Sequence, residues 1–154
     1  MYLPSPTVLK VLGYKVSKEI LFQDRKPEEN LYCYVLINCI EDVMLAHNDR
    51  KSSLQKCEAH NWLISNTTDF KKVCEWALLD PELVLFNYQW SLKNKTIRFT
   101  SRQVGWQRYY NFYLKVKTFN VKEKRKHKGH LKALRNSVFN SSTSFTSTVY
   151  LTAI

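Results

Sequence analysis

Apolar residues recur at three- and four-residue spacing through most of the chain, and short polar groups break that recurrence into segments. The clearest punctuation lies in residues 60–88, HNWLISNTTDFKKVCEWALLDPELVLFNY. Asn66, Thr67 and Thr68 carry short side chains that accept hydrogen bonds from the unpaired N–H groups of a first helical turn. Asp69 follows where the helix dipole favours negative charge. Phe70, Val73, Cys74 and Ala77 then share one apolar face. Asp80-Pro81-Glu82 restarts a helix: Asp80 caps it, Pro81 sits where a missing N–H costs nothing, and Glu82 faces the positive end. Val84, Leu85 and Tyr88 supply the next apolar face.

The same signals place the other elements. Residues 1–27 are ambiguous, because Val8, Leu9, Val11, Leu12, Val16, Ile20 and Leu21 fit either a short helix or an irregular packed segment. Pro27-Glu28-Glu29 opens a buried helix over 28–46, with Leu31, Val35, Leu36, Cys39, Ile40, Val43 and Met44 as its stripe. Ser52 or Ser53 caps a helix over 53–65 that carries Leu54, Cys57, Ala59, Trp62 and Leu63. A polar link, 91–99, leads to Thr100-Ser101-Arg102-Gln103. This is a capping box, in which Thr100 bonds the third N–H and Gln103 bonds back. The helix it opens, about 100–117, lines up Trp106, Tyr109, Tyr110, Tyr113 and Val116. Gly105 either weakens that helix or lets a neighbour come close.

Residues 118–136 are strongly basic, and the Ser/Thr-rich end reads as a disordered tail or a late strand using Phe145, Val149 and Leu151. The pattern therefore predicts an all-α fold, a compact bundle of five to six helices over residues 1–117. A C-terminal extension over 118–154, basic and then Ser/Thr-rich, follows it.

Residues 66–85 also permit a helix-turn-helix. Val73, Cys74, Ala77, Leu79 and Val84 fall where such motifs bury residues between two steeply crossed helices. Leu78 occupies the position that usually needs a left-handed backbone, at a cost of about 1 kcal/mol. The second helix offers Asn87, Gln89 and Lys93 outward, but its start is acidic. An ordinary helical hairpin in a core explains the same residues, and we prefer it.

Composition narrows the functions. The chain has 154 residues, suited to one domain of ordinary size, and a formal net charge of +11. Such a charge favours an anionic partner: nucleic acid, an acidic protein or a membrane surface. No apolar run is long enough to span a bilayer, and MYLPSPTVLKVLGYKV lacks the basic start and apolar core of a signal peptide. We expect a cytoplasmic protein without a membrane role, in which the sequons at Asn66, Asn94 and Asn140 are coincidental. Cys33, Cys39, Cys57 and Cys74 form no CxxC pair and read as small buried hydrophobes in a reducing compartment. A metal site from His47, Cys57, His60 and Cys74 matches no zinc spacing, so no metal or cofactor is expected.

Catalytic patterns are absent: there is no phosphate-cradling glycine loop, nucleophile elbow or His-x-x-x-His pair. Glu75 and Asp80 near His60 read better as solvated helix charges than as an acid–base group. The functional signal is the aromatic–basic helix with the basic run after it. Lys122, Lys124, Arg125, Lys126, Lys128, Lys132 and Arg135 face one acid, Glu123, and Arg102 and Arg108 precede them. Lysine and arginine neutralise phosphates and gain affinity by releasing counterions. Tyr109, Tyr110, Phe112 and Tyr113 stack bases if exposed, but Trp106, Tyr109 and Tyr113 fit core packing better.

Three blocks carry a resemblance: Tyr34-Val35-Leu36-Ile37 to Ile40-Glu41-Asp42; Cys57-Glu58-Ala59 to Trp62-Leu63-Ile64-Ser65; and Asp69-Phe70, Val73-Cys74 and Ala77 to Glu82 with Val84. Over about residues 31–85 the chain resembles small, uncharacterised proteins of bacterial phages and prophages, with Leu78 where that family commonly has Gly. The resemblance implies a small helical phage-associated protein, regulatory or DNA-binding, and carries no assigned activity. We expect a non-enzymatic protein that contacts DNA or RNA phosphates through the nine basic residues named above. The competing expectation is a protein-interaction module that binds or inhibits a host protein.

Overall fold

The computed structural model describes residues 3–154, and they form eight helices in the order α1 (Pro6–Leu12), α2 (Tyr14–Phe22), α3 (Pro27–Val43), α4 (Arg50–Ile64), α5 (Thr68–Trp76), α6 (Pro81–Lys93), α7 (Ser101–Lys117) and α8 (Val121–Phe139). The all-α expectation holds, with eight helices in place of five or six. Expectations about the first two residues, Met1 and Tyr2, lie outside the described chain.

Two of the additional helices come from the ambiguous N-terminal segment. Ser5 accepts the Val8 N–H, Pro6 opens α1, and Gly13 ends it at φ +86. Only glycine adopts that conformation without strain. A Cβ there would also lie 2.5 Å from Asn87 Nδ2, because the Asn87 amide donates to the Leu12 carbonyl. The glycine thus lets α1 turn into α2 against α6.

The predicted caps form with small shifts. Asp49, rather than Ser52 or Ser53, caps α4 by accepting the Ser52 N–H at 3.0 Å, since it stands one residue before the helical φ/ψ begins. Thr67 caps α5 and Asp80 caps α6. The Thr100–Gln103 box forms both ways, at 3.1 and 2.9 Å. Leu78 lies at φ +60, the left-handed position the turn between α5 and α6 requires. Val73, Cys74, Ala77, Leu79 and Val84 are all buried.

The main core gathers apolar residues from α1 to α6 and the start of α7, with Leu36, Ile40, Val43, Leu63, Phe70 and Tyr88 at its centre. All four cysteines are free and buried, as their apolar spacing predicts. Burial raises each thiol pKa, to about 12 for Cys57 and Cys74, so they stay protonated and unreactive.

The C-terminal segment differs most from expectation. Residues 121–139 do not trail away as an extension. They form α8, capped by Asn120 and packed along α7. A second small core of Trp106, Tyr109 and Val138, flanked by Leu131 and Leu134, joins the two helices. Gly105 serves close approach: a Cβ there would sit 3.3 Å from Val138 Cγ2.

The final residues return to the main core as a strap, neither a free tail nor a strand. Thr146 N–H donates to the Phe99 carbonyl at 3.0 Å, beside a single antiparallel bridge between Thr100 and Phe145. His60 Nε2 bonds the Thr152 carbonyl at 2.9 Å. Asn61 holds Ile154 from both sides, accepting its N–H at 2.7 Å and donating to its carbonyl at 3.0 Å.

Candidate nucleic-acid interface

Charge is unevenly divided along this chain. Residues 1–82 hold ten cations and twelve acids, whereas 83–154 hold fourteen cations and one acid, Glu123. Folding places much of the second set on α8, a helix of 19 residues and therefore about 28 Å long. Lys122, Lys124, Arg125, Lys126, Lys128, Lys132 and Arg135 are all exposed. Only Val138 of α8 is fully buried, so the helix presents most of its circumference to solvent. Glu123 pairs with Lys126 at 3.5 Å, an exposed i,i+3 contact that neutralises little of this charge.

Helical periodicity sorts the cations. Lys124 and Lys128 are one turn apart and share a face with Leu131, toward α7. Lys122 and Lys126 lie on the opposite side. Arg135 rests near Phe139, its guanidinium 5.9 Å from the ring centroid. With Arg50, Arg102, Trp106 and Phe139 it lines a second cleft of about 490 Å³.

The two arginines predicted on α7 have different environments. Arg108 is exposed and available for phosphate contact. Arg102 donates from Nη2 to the Phe139 carbonyl at 2.7 Å and to the Ser141 carbonyl at 3.2 Å. It therefore satisfies carbonyls at the α8 C-terminus, where cations are favoured. Its guanidinium is a clasp between α7 and α8, and the structure does not bring it into the exposed array.

Of the three aromatic residues assigned to core packing, Trp106 and Tyr109 are buried against α8, whereas Tyr113 lies outside that core. Phe112 meets His130 edge-on at 4.9 Å. Tyr113 is partly exposed and lines a cleft of about 360 Å³ between α7 and α8.

No family model matches the chain, and no curated protein or solved structure matches it.

Several polar residues at structurally important positions were not legible as such. Lys56, on α4, is buried, and its ammonium donates to the Leu45 and Arg98 carbonyls. It also lies 4.7 Å from the Phe99 ring centroid and 5.6 Å from that of Phe145. Burial, with no carboxylate to offset it, pushes its pKa down to about 8. His60 is likewise buried. A carbonyl only accepts, so Nε2 carries the proton toward Thr152, and Nδ1 accepts the Tyr88 hydroxyl at 2.6 Å. Burial lowers its pKa. These groups serve packing and strap attachment. Among the described residues, no cluster of three or more His, Cys, Asp or Glu side chains is arranged to hold a metal, and no helix is long and apolar enough to cross a membrane.

Of the three outward residues named on α6, Asn87 is engaged with Leu12, Gln89 is half-buried, and Lys93 at the end of the helix is exposed. Phe86 and Trp90 are the large exposed side chains of that helix, at 63% and 62%.

Proposed function

We propose that this is a non-enzymatic nucleic-acid-binding protein whose contact surface is α8, assisted by Arg108. The observation that carries the reading is a solvent-facing helix with seven exposed cations and a single acid, held to the body mainly by one narrow apolar edge. Seven cations spread around and along about 20 Å of helix match a phosphodiester backbone better than any compact anion, because each neutralised phosphate releases counterions. Recognition is mainly of backbone, with modest sequence preference. The hairpin of α5 and α6 acts as core, since the outward face of α6 is aromatic and its start acidic. The phage-like motif and the basic helix together favour a cytoplasmic regulatory protein of phage origin.

The test is titration of the nuclease-treated protein with fluorescent DNA and RNA at low and high salt. Submicromolar binding that weakens steeply with salt supports the reading, and absence of binding at low salt refutes it.

One observation favours a second reading, a module that binds a host protein. Phe86 and Trp90 stand one turn apart on α6 and are both exposed, a pairing common in protein interfaces. Nuclease-insensitive recovery of one stoichiometric partner, lost on Phe86→Ser with Trp90→Ser, supports that reading.

A further inference from the structure

The cleft between α7 and α8 differs from the rest of the basic surface. Its lining comprises Tyr113, Val116, Val121 and Leu131 among Lys117, Lys124, Arg125 and Lys128. No acidic side chain lines it. Val116 is buried and Leu131 half-buried, whereas Val121 and the four cations are exposed. The link between the helices is three residues, 118–120, so Lys117 at the end of α7 and Lys124 near the start of α8 meet around one opening. Tyr109 and Tyr110 neighbour the Tyr113 ring, with centroids 6.4 Å away in each case and planes within 23° and 21° of it. The site is therefore an apolar recess with an aromatic ring in its wall, surrounded by positive charge from both helices.

Charge alone does not require such a recess. Duplex DNA or RNA presents phosphates outward with its bases stacked inside, so it engages the exposed cations and leaves the apolar recess empty. An unpaired nucleotide presents a flat apolar face and a phosphate together. Aromatic platforms inside cationic grooves bind single strands in this way, with little sequence preference, because every base has a π-face. We infer that the α7–α8 cleft takes an unpaired base against Tyr113, with Lys117, Lys124, Arg125 and Lys128 on the flanking phosphates, making this a single-strand binder. This inference rests on the nucleic-acid reading above and specifies the form bound. An acyl chain would also suit the recess, but a single lipid anion leaves most of the cation row unused.

The experiment compares a labelled homopolymeric dT strand with a blunt duplex of equal length, at one salt concentration. Wild-type protein, Tyr113→Leu, Val121→Met and Lys124→Gln/Arg125→Gln/Lys128→Gln are used. The wild type is expected to prefer the single strand by about ten-fold or more. Tyr113→Leu removes that preference and leaves duplex affinity unchanged. Val121→Met, at an exposed position, fills the recess with a longer side chain that has no π-face, with the same result, and replaces the Tyr113 variant should circular dichroism show that one unfolded. The triple substitution weakens both forms. Equal wild-type affinity for both forms, with both weakened by the triple substitution, overturns the cleft assignment and leaves the parent reading intact. Binding of neither form overturns both. Binding of phosphatidylglycerol vesicles, lost in Val121→Met and without any single-strand preference, assigns the recess to an acyl chain instead.

Discussion

Arg102 of α7 donates to the Phe139 carbonyl at 2.7 Å, binding the start of one helix to the end of the other across 37 residues. Two arginines that look alike in sequence thereby acquire different work. Arg102→Ala leaves carbonyls at the α8 terminus without this charged donor. It is expected to lower stability by about 1–3 kcal/mol in urea denaturation. Arg108→Ala should change stability by less than about 0.5 kcal/mol, as for an ordinary surface site. It should instead flatten the salt dependence of nucleic-acid binding.

Glycines provide a second test. Gly129 stands within α8 with open space around its Cα, so Gly129→Ala meets nothing within 4 Å. The variant should stabilise the protein by up to about 1 kcal/mol, through helix propensity alone. Gly13→Ala meets the Asn87 amide at 2.5 Å and a φ of +86. It should destabilise by more than about 1 kcal/mol in the same assay.

Leu78 is exposed and left-handed at φ +60. A non-glycine residue pays about 1–2 kcal/mol for that backbone, partly offset by the extra chain entropy glycine loses on folding. Leu78→Gly is therefore expected to raise the thermal midpoint modestly. A lowered midpoint would show that the Leu78 side chain contributes more than its backbone costs.

Acid should loosen the strap. The folded pKa of His60 lies below its ordinary value, through burial. The unfolded chain thus binds the proton more readily, and stability falls as pH falls. This contribution is complete above about pH 6.5, the unfolded imidazole value, and is lost progressively below it. The urea midpoint of the wild type should decline between about pH 7.5 and about pH 5.5. His60→Gln, whose amide still reaches for the Thr152 carbonyl, should show a shallower decline.

Local chemistry was well expressed in the sequence. The Thr100–Gln103 box, the Asp80-Pro81-Glu82 start, the Leu78 turn and the buried set around Val73 and Val84 depend on neighbours within a few residues. The role of α8 was less legible, because Gly129 and a high density of lysine obscure a sparse stripe. Leu131, Leu134 and Val138 keep helical spacing, continued upstream by His127, and that was the available signal. Arg102, Lys56 and His60 were harder still. Their partners Phe139, Leu45, Arg98 and Thr152 include carbonyls of any residue type, brought near only by the fold. Of the candidate residues, the α8 cations and Arg108 are exposed, as their polar positions imply, whereas the cleft depends on α8 lying along α7.

The central claim is that α8 binds nucleic-acid phosphates. Its most direct test is the salt slope of log affinity for the wild type and for the protein with Lys124, Arg125, Lys126 and Lys128 all replaced by Ala. These side chains are exposed and alanine favours helix, so the fold should persist by circular dichroism. The account predicts a slope shallower by about three in the variant, with most of the affinity gone. An unchanged slope and affinity in the folded variant would contradict it.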